Sequence, residues 1–388
     1  MNHFIRENET VLKKLLEDLC RIPAPSFHEE KRAEFCKAWL EDIGAAGVYI
    51  DEANNVIFPL NCEGCSEITV FAAHTDTVFP DLEPMKYVED DERIYCPGVG
   101  DDTASVAVLM MTVKFIIEKS IQPDKGVLFV LNSCEEGLGN LKGTRQLMQS
   151  YAGRVAGFIT FDSNISYINH VCVGSQRYEV EVLTKGGHSF QDFGVKNAIS
   201  VLAEMITEMY RIQVPRSGNA RTTYNVGSIE GGTSVNTIAQ SAKMLCEYRS
   251  DSRECLEFMN KEFERIFKAP CAEDVTVKVS KIGDRPCAGD VDPLLQEKLA
   301  QVCRQIVEET AQTPVTFRSA STDCNIPLSL GIPAVCIGVY KGGGSHTREE
   351  YIEKASLKTG LQIAIKTVLT LTGGLQSSQG CLFYEKQL

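Results

Sequence analysis

Four short apolar runs, separated by segments with helical periodicity, constrain the fold of this chain more than any other feature. The runs are ITVFAA (68–73), GVLFVL (126–131), VAGFITF (155–161) and IPAVCIGV (332–339). Runs of this length without polar alternation are typical of parallel strands that are buried on both faces. Helical patterns lie between them, for example over 103–120, and another lies near the start of the chain, over 29–44. This alternation predicts an α/β fold with a mixed, mainly parallel sheet and helices on both faces.

The middle of the chain has a different pattern. Polar and apolar residues alternate over 176–186, as they do in half-exposed strands. The segments that follow are a helical pattern (196–212), two strand patterns (221–232 and 237–250), a second helix (252–267) and a last strand (275–283). The order βαββαβ is that of ferredoxin-like units. We therefore predict a lid domain at 175–287, inserted into a catalytic domain made of 1–174 and 288–388.

Composition excludes several classes of function. The chain has 388 residues with a formal net charge of −13 and no block of basic residues, which argues against nucleic-acid and anionic-membrane partners. It lacks a run of 18 apolar residues, so we expect no membrane span. The N-terminus lacks the pattern of a signal peptide, and 15 cysteines in a chain of this size favour reduced thiols in the cytoplasm.

Polar residues that can bind metal follow each apolar run. They are His74 and Asp76 after the first run, Glu135 and Glu136 after the second, Asp162 after the third and His346 after the fourth, with Asp101 and Asp102 ahead of a helix. In an open α/β sheet, ligands bind beyond the carboxyl ends of the strands. We therefore expect these side chains to converge.

Each residue also has a simpler explanation when taken alone. A single histidine is more often a core or surface residue, Asp102 suits the N-cap of the next helix, and Asp162 suits a turn. Taken together, two imidazoles and several carboxylates are nitrogen and oxygen donors that suit zinc, with cobalt or manganese as alternatives. They exceed the needs of one open catalytic zinc and suit two ions that share a bridging carboxylate.

The motifs HTDTV, GVGDDTAS, CEEG, FDS, GGHSF, GGTSVN and GGGSHT occur in this order over almost the whole chain. In sequence and order they resemble the superfamily of two-zinc aminoacylases, carboxypeptidase G and tripeptidase T. The resemblance implies two zinc ions per subunit. It implies that Asp101 bridges the ions, that His74 and Asp162 hold one, and that Glu136 and His346 hold the other.

The resemblance also implies catalytic roles. Glu135 is expected to be the general base that activates a metal-bridging water, and Asp76 is expected to orient His74. The peptide bond between Asp101 and Asp102 is expected to be cis. The inserted unit resembles a dimerisation lid, which implies a homodimer in which His188 stabilises the oxyanion in the partner's site. Expected substrate contacts are Asn236, Arg249 and Gly343.

The function that the resemblance implies is an exopeptidase that cleaves di- and tripeptides. Asp at position 162 is similar to the peptidase branches of the superfamily. An N-acyl-amino-acid deacylase or a glutamate-releasing carboxypeptidase with the same site is the alternative. A non-enzymatic binding protein is disfavoured because both Glu135 and His346 are present. A dinucleotide-binding oxidoreductase is disfavoured because GVGDDTAS lacks the third glycine and carries two acids where pyrophosphate binds.

Overall fold

A computed structural model describes residues 1–269 and 273–373 of the chain. By contacts, the chain divides into two compact units. One consists of Met1–Cys172 with the chain from Gly289 onward, and the other is Val173–Ala288. Residues 270–272 of the predicted lid domain and 374–388 of the predicted catalytic domain lie outside the described residues.

The elements of the described residues are as follows. The helices are α1 (Asn2–Glu7), α2 (Glu9–Cys20), α3 (Glu30–Asp42), α4 (Ser105–Glu118), α5 (Lys142–Ser150), α6 (Ala198–Met209), α7 (Arg253–Phe267), α8 (Pro293–Ala311), α9 (Asn325–Ser329) and α10 (Lys354–Leu371). The strands are β1 (Tyr49–Ile50), β2 (Val56–Leu60), β3 (Ile68–His74), β4 (Val88–Glu89), β5 (Arg93–Tyr95), β6 (Gly126–Asn132), β7 (Val155–Phe161), β8 (Tyr167–Cys172), β9 (Gly174–Leu183), β10 (Gly187–His188), β11 (Thr222–Gly231), β12 (Thr237–Ile238), β13 (Ser241–Ser250), β14 (Thr276–Arg285), β15 (Thr316–Ala320), β16 (Ala334–Ile337), β17 (Gly342–Gly343) and β18 (Tyr351–Glu353).

The first unit is built on an eight-stranded sheet with the order β1-β2-β6-β3-β7-β16-β8-β15. Its four central strands, β6, β3, β7 and β16, run parallel. Every residue of β3 and β6 is buried, so both faces of the sheet are covered. The fold-class prediction of a mixed, mainly parallel α/β sheet is confirmed, and the four apolar runs match β3, β6, β7 and β16 to within about two residues at either end.

A smaller antiparallel sheet, ordered β17-β18-β5-β4, was not predicted from the sequence. Its strands have two or three residues each, too few to produce a periodic pattern. The sheet joins the chain before Asp101 to the chain after His346, because β5 pairs with β18. It therefore brings two segments of the candidate site together.

The second unit has a four-stranded antiparallel sheet with the order β11-β13-β9-β14. The helices α6 and α7 pack on this sheet through a core that includes Val180, Met244, Leu202 and Phe263. The element order is the predicted ferredoxin-like βαββαβ order, with one addition, the short ribbon β10–β12. No helix among the described residues is both long enough and apolar enough to cross a membrane.

Candidate metal centre

The carboxyl ends of the central strands place the predicted donors side by side. His74 is the last residue of β3 and pairs in register with Asn132, the last residue of β6. The acidic pair Glu135 and Glu136 follows β6 after two residues, and both side chains are buried. Asp162 comes directly after β7, where its backbone N–H donates to the carbonyl of Ile337 on the neighbouring strand.

Asp101 lies between two imidazole rings. Its Oδ1 is 3.1 Å from Nε2 of His74, and its Oδ2 is 3.0 Å from Nε2 of His346. Nε2 of His346 is also 3.1 Å from Oε1 of Glu136. The peptide bond between Asp101 and Asp102 is cis, as the resemblance implied.

Three overlapping groups of side chains could hold a metal ion. They are His74–Asp102–Asp162, His74–Glu135–Glu136 and Asp101–Glu136–His346, and the donor atoms of each group lie within 4.8 Å of one another. Within the described part of the chain, the buried atom Oδ1 of Asp102 has no hydrogen-bond partner. Buried polar atoms normally have one, so this oxygen fits a site completed by a cation. The donor set of imidazoles and carboxylates fits two ions of the zinc type.

Asp102 has a different role from the helix cap that its position suggested. The N-cap of α4 is Ala104, and no side chain caps that end. Oδ2 of Asp102 instead accepts the backbone N–H of His74 at 3.0 Å. Asp102 is fully buried, and that burial raises the pKa of its carboxyl. Asp102 therefore supports His74 and also belongs to one of the three groups of possible metal donors.

The acids and imidazoles of the centre shift one another's pKa values. Hydrogen bonds to Asp101 and Glu136 raise the pKa of His346 to about 11. Burial raises the pKa of Glu136 to about 7, and burial with repulsion from Asp101 raises that of Asp162. Burial lowers the pKa of His74, but the surrounding acids, Asp101 first among them, together outweigh it, so the net shift is upward. Protons thus occupy positions that ions would take in the loaded site.

Asp76 holds the loop that carries the acidic pair. Its Oδ1 accepts the backbone N–H of Glu135 and its Oδ2 that of Glu136, each at 2.9 Å. The Nδ1 atom of His74 is 3.0 Å from the backbone carbonyl of Asp76 and 3.5 Å from its Oδ1. One buried carboxylate therefore fixes the acidic pair and lies against the imidazole that it was expected to orient.

Three residues near the start of the chain also support the centre, and the sequence analysis did not identify them. The hydroxyl of Ser26 donates to Oδ2 of Asp76 at 2.6 Å. Oε1 of Glu29 accepts the backbone N–H of Cys134 at 3.0 Å. Arg32 donates to the carbonyl of Thr75 at 2.8 Å. Glu29 and Arg32 share a helical face with Ala33, Cys36 and Leu40, and this register was visible in the sequence.

Two buried acids complete the support. Glu350 accepts three backbone N–H groups, including that of Asp101. A Cβ atom on Gly100 would lie 3.0 Å from Oε1 of Glu350 and 2.8 Å from Tyr340, so this close approach requires glycine. Asp323 accepts from Nδ2 of Asn132 at 2.6 Å, and burial raises the pKa of Asp323 to about 7. Neither acid follows an apolar strand run, whereas most of the predicted donors do.

The predicted lid residues fall into two places in the second unit. His188 on β10 pairs with Thr237, and the N–H of Ser189 donates to the carbonyl of Asn236 at 3.0 Å, so His188 and Asn236 lie together. Arg249 is near the other end of β13, eight residues from Ser241, which is roughly 26 Å along an extended strand. Within this unit the structure therefore does not bring Arg249 to the other two.

The imidazole of His188 has a defined tautomer. Its Nδ1 lies 3.3 Å from the backbone N–H of Phe190 and 3.4 Å from that of Gln191, and both donate to it. The neutral ring therefore carries its proton on Nε2.

The remaining predicted substrate contact, Gly343, belongs to the first unit. It lies on β17, three residues before His346, and pairs with Tyr351 on β18.

Comparisons with known proteins identify relatives over most of the chain. The model of peptidase family M20/M25/M40 matches residues 70–370. Carboxypeptidase G2 of Pseudomonas sp. (strain RS-16) is 22% identical over 395 residues, which cover 95% of this chain and 91% of that protein.

Solved structures agree in fold. A tripeptidase from Staphylococcus aureus subsp. aureus Mu50 matches with a TM-score of 0.73 at 22% identity, covering 93% of this chain and 98% of that one. A dinuclear metal binding peptidase of family M20 from Bacillus subtilis matches with a TM-score of 0.66 at 14% identity, covering 95% and 100%. At these identities the structural likeness establishes the fold.

Proposed function

Because the chain belongs to peptidase family M20/M25/M40 and is a hydrolase of peptide or amide bonds, we propose that it is a two-zinc exopeptidase for di- and tripeptides. The observation that carries the proposal is the position of Asp101 between the imidazoles of His74 and His346. One carboxylate with an imidazole on each oxygen is the arrangement that a bridging ligand requires.

The proposed ligands divide between two ions. Asp101 would be the shared ligand, His74 and Asp162 would hold one ion, and Glu136 and His346 would hold the other. When bound, the ions supply a polarised scissile carbonyl and a water of lowered pKa. Cobalt or manganese would satisfy the same nitrogen and oxygen donors.

Glu135 is the proposed general base. Its carboxylate accepts a proton from the attacking water and then donates it to the leaving amine. The two hydrogen bonds that Asp76 accepts from the backbone of the loop hold Glu135 and Glu136 in fixed positions, so one acid can bind metal while its neighbour carries the proton. Successive side chains of an extended segment point in different directions, which separates the two roles.

The decisive experiment combines a substrate panel with a variant. Zinc- or cobalt-loaded protein should hydrolyse di- and tripeptides, and Glu135→Gln should keep both ions while lowering kcat by about 10²–10⁴. Glu92→Gln, an exposed glutamate, is the matched control and should keep wild-type activity. Wild-type turnover by Glu135→Gln would refute the assignment of the base.

The likeness to carboxypeptidase G2 supports a second candidate, a glutamate-releasing carboxypeptidase or N-acyl-amino-acid deacylase that uses the same residues. The panel should therefore include acylated glutamates and other N-acyl amino acids beside the peptides. A kcat/KM that is higher for acylated amino acids than for every peptide would replace the first candidate with the second.

We further propose a homodimer formed through the second unit. The strand β11 lies at one edge of the sheet, and Ile229 on it is 54% exposed. An exposed edge strand is a template for pairing with a second copy. His188 would then donate a hydrogen bond from its Nε2–H to the oxyanion in the partner's site. Asn236, which lies beside His188, would bind the substrate there together with Gly343, while Arg249 would bind it from the other subunit.

The dimer has its own test. Ile229→Lys on β11 should yield a monomer with lower kcat and unchanged metal content, as measured by light scattering and metal analysis. Val279→Lys on β14, the opposite edge, should remain dimeric. A monomeric wild-type protein would refute this part of the proposal.

We also propose a cytoplasmic location. The thirteen described cysteines are thiols rather than disulfides, and reduced cysteines are typical of that compartment.

A further inference from the structure

Phe27 has a backbone conformation that residues with a side chain rarely adopt. Its φ is 73°, and its surface is 50% exposed. The backbone N–H of His28 donates to the carbonyl of Pro25 at 2.9 Å and closes a turn in which Phe27 occupies the third position. Positive φ at that position favours glycine. A large exposed aromatic residue therefore stands where glycine would be more stable, and such outliers point to a functional constraint.

The turn is attached to the candidate metal centre on both sides of Phe27. The hydroxyl of Ser26 lies 2.6 Å from Oδ2 of Asp76 and 3.4 Å from the backbone carbonyl of Glu136. On the other side, Glu29 is fully buried and accepts a backbone N–H from the same loop. Since its neighbours are fixed to the loop of the acidic pair, Phe27 is held beside that loop.

A second exposed apolar side chain lies on the acidic loop itself. Leu138 follows Glu136 by two residues, in the short turn Gly137–Gly139, and is 53% exposed. The hydrogen bonds of Ser26 join this loop to the turn of Phe27. Two exposed apolar residues therefore lie on two connected loops, one of which carries Glu136. Ligand sites usually combine a few polar groups with apolar surface of this kind.

We propose that Phe27 and Leu138 form an apolar subsite that accepts the side chain of the residue next to the scissile bond. The inference rests on the proposed exopeptidase function and narrows its substrates to small peptides with an apolar residue at the cleaved bond. Contact with a leucine or phenylalanine side chain removes apolar surface of both partners from water and favours such substrates over those with alanine.

The experiment compares matched peptide pairs with zinc-loaded protein. The pairs are Leu-Gly-Gly with Ala-Gly-Gly and Gly-Gly-Leu with Gly-Gly-Ala, so either end of the substrate is tested. For the pair that the wild type cleaves, Phe27→Gly and Phe27→Ala should lower the leucine-to-alanine ratio of kcat/KM about tenfold or more. Leu138→Ala should lower the same ratio.

A melting experiment separates the functional role of Phe27 from a structural one. Phe27→Gly should raise Tm because glycine adopts positive φ without strain. Ser120→Gly is the matched control: Ser120 has φ 51°, is exposed and lies just past the end of α4 that is remote from Asp101. Ser120→Gly should also raise Tm, and it should leave the leucine-to-alanine ratio of kcat/KM unchanged.

Several outcomes would overturn the inference. An unchanged ratio in Phe27→Gly and Phe27→Ala would show that the ring does not contact the substrate. Equal losses for leucine and alanine peptides would show that Phe27 only supports the loop. A wild type that cleaves none of the peptides or N-acyl amino acids would instead refute the proposed function, and the subsite with it.

Discussion

The carboxylate of Glu350 accepts the backbone N–H of Asp101 at 2.8 Å, across 249 positions of sequence. The same carboxylate accepts the N–H groups of Gly98 at 2.7 Å and of Gly100 at 2.9 Å. Glu350 is 1% exposed, and burial raises its pKa to about 7. A residue four positions after His346 thereby fixes the backbone that carries Asp101.

Replacement of Glu350 by Gln should weaken metal binding. The amide has one accepting oxygen where the carboxylate has two, so at least one buried N–H loses its partner, at a cost of about 1–3 kcal/mol. Loss of such outer support typically lowers metal affinity about 10–100-fold. Competitive zinc titration and urea unfolding measure the two effects. The exposed neighbour Glu349 provides the control Glu349→Gln, and equal zinc affinities in the two variants would contradict the prediction.

Asp76→Asn should lower kcat more than it changes KM. The N–H groups of Glu135 and Glu136 are bound by different oxygens of Asp76, so in the amide one of them would face the new NH₂ group, which is itself a donor. The acidic pair would shift, and a misplacement of about 1 Å costs on the order of 10²-fold in rate. Steady-state kinetics on the metal-loaded variant provides the measurement, with Asp42→Asn, an exposed aspartate, as the control. Wild-type kcat in Asp76→Asn would count against the role of this carboxylate.

The sequence predicted the sheet and the donors for the same reason. Strands buried on both faces have apolar runs that are easily found, and the residues after them, such as His74 and Asp162, must meet at one edge of the sheet. The residues that support these donors through hydrogen bonds are not marked by a preceding apolar run. Glu350 acts through a contact with residues far away in the sequence, and nothing in its neighbours indicates that contact.

Two charged residues, Glu29 and Arg32, show a second limit of prediction from the sequence. Glu29 and Arg32 belong to a segment that was predicted as a helix, and charged residues of a surface helix are expected to face water. Both are instead buried on the apolar face, because their partners are backbone groups of other loops.

Arg249 shows that motif order does not establish proximity, since within the second unit it lies far along β13 from the region of His188.

Replacement of Arg32 by Met should destabilise the fold and weaken the metal centre together. The guanidinium is 2% exposed and donates to the backbone carbonyls of Leu19, Ile22 and Thr75. Methionine has similar length but donates nothing, so buried acceptors lose partners at a cost of about 1–3 kcal/mol each. Urea unfolding should show the loss, and zinc affinity should fall because Thr75 lies between His74 and Asp76. Lys31→Met, at an exposed neighbouring position, should change neither quantity; a similar effect of both variants would contradict the prediction.

Zinc binding should release protons, and the zinc affinity should rise with pH. In the metal-free protein the pKa of His346 is about 11 and that of Glu136 is about 7, so at pH 7.5 the imidazole is charged and the carboxyl is partly protonated. A ligand must lose its proton to bind metal. The free protein therefore holds more protons than the complex, and raising the pH between about 7 and 11 favours the complex.

Calorimetry of zinc binding at pH 7.5, in buffers with different enthalpies of ionisation, counts the released protons. The wild type should release at least one, and His346→Gln should release about one fewer because its amide has no proton to lose in this range. His3→Gln is the control, since His3 is exposed and lies outside the centre. Identical proton release by the wild type and His346→Gln would show that His346 is not displaced from its acidic partners by the metal, and would remove it from the ligand set.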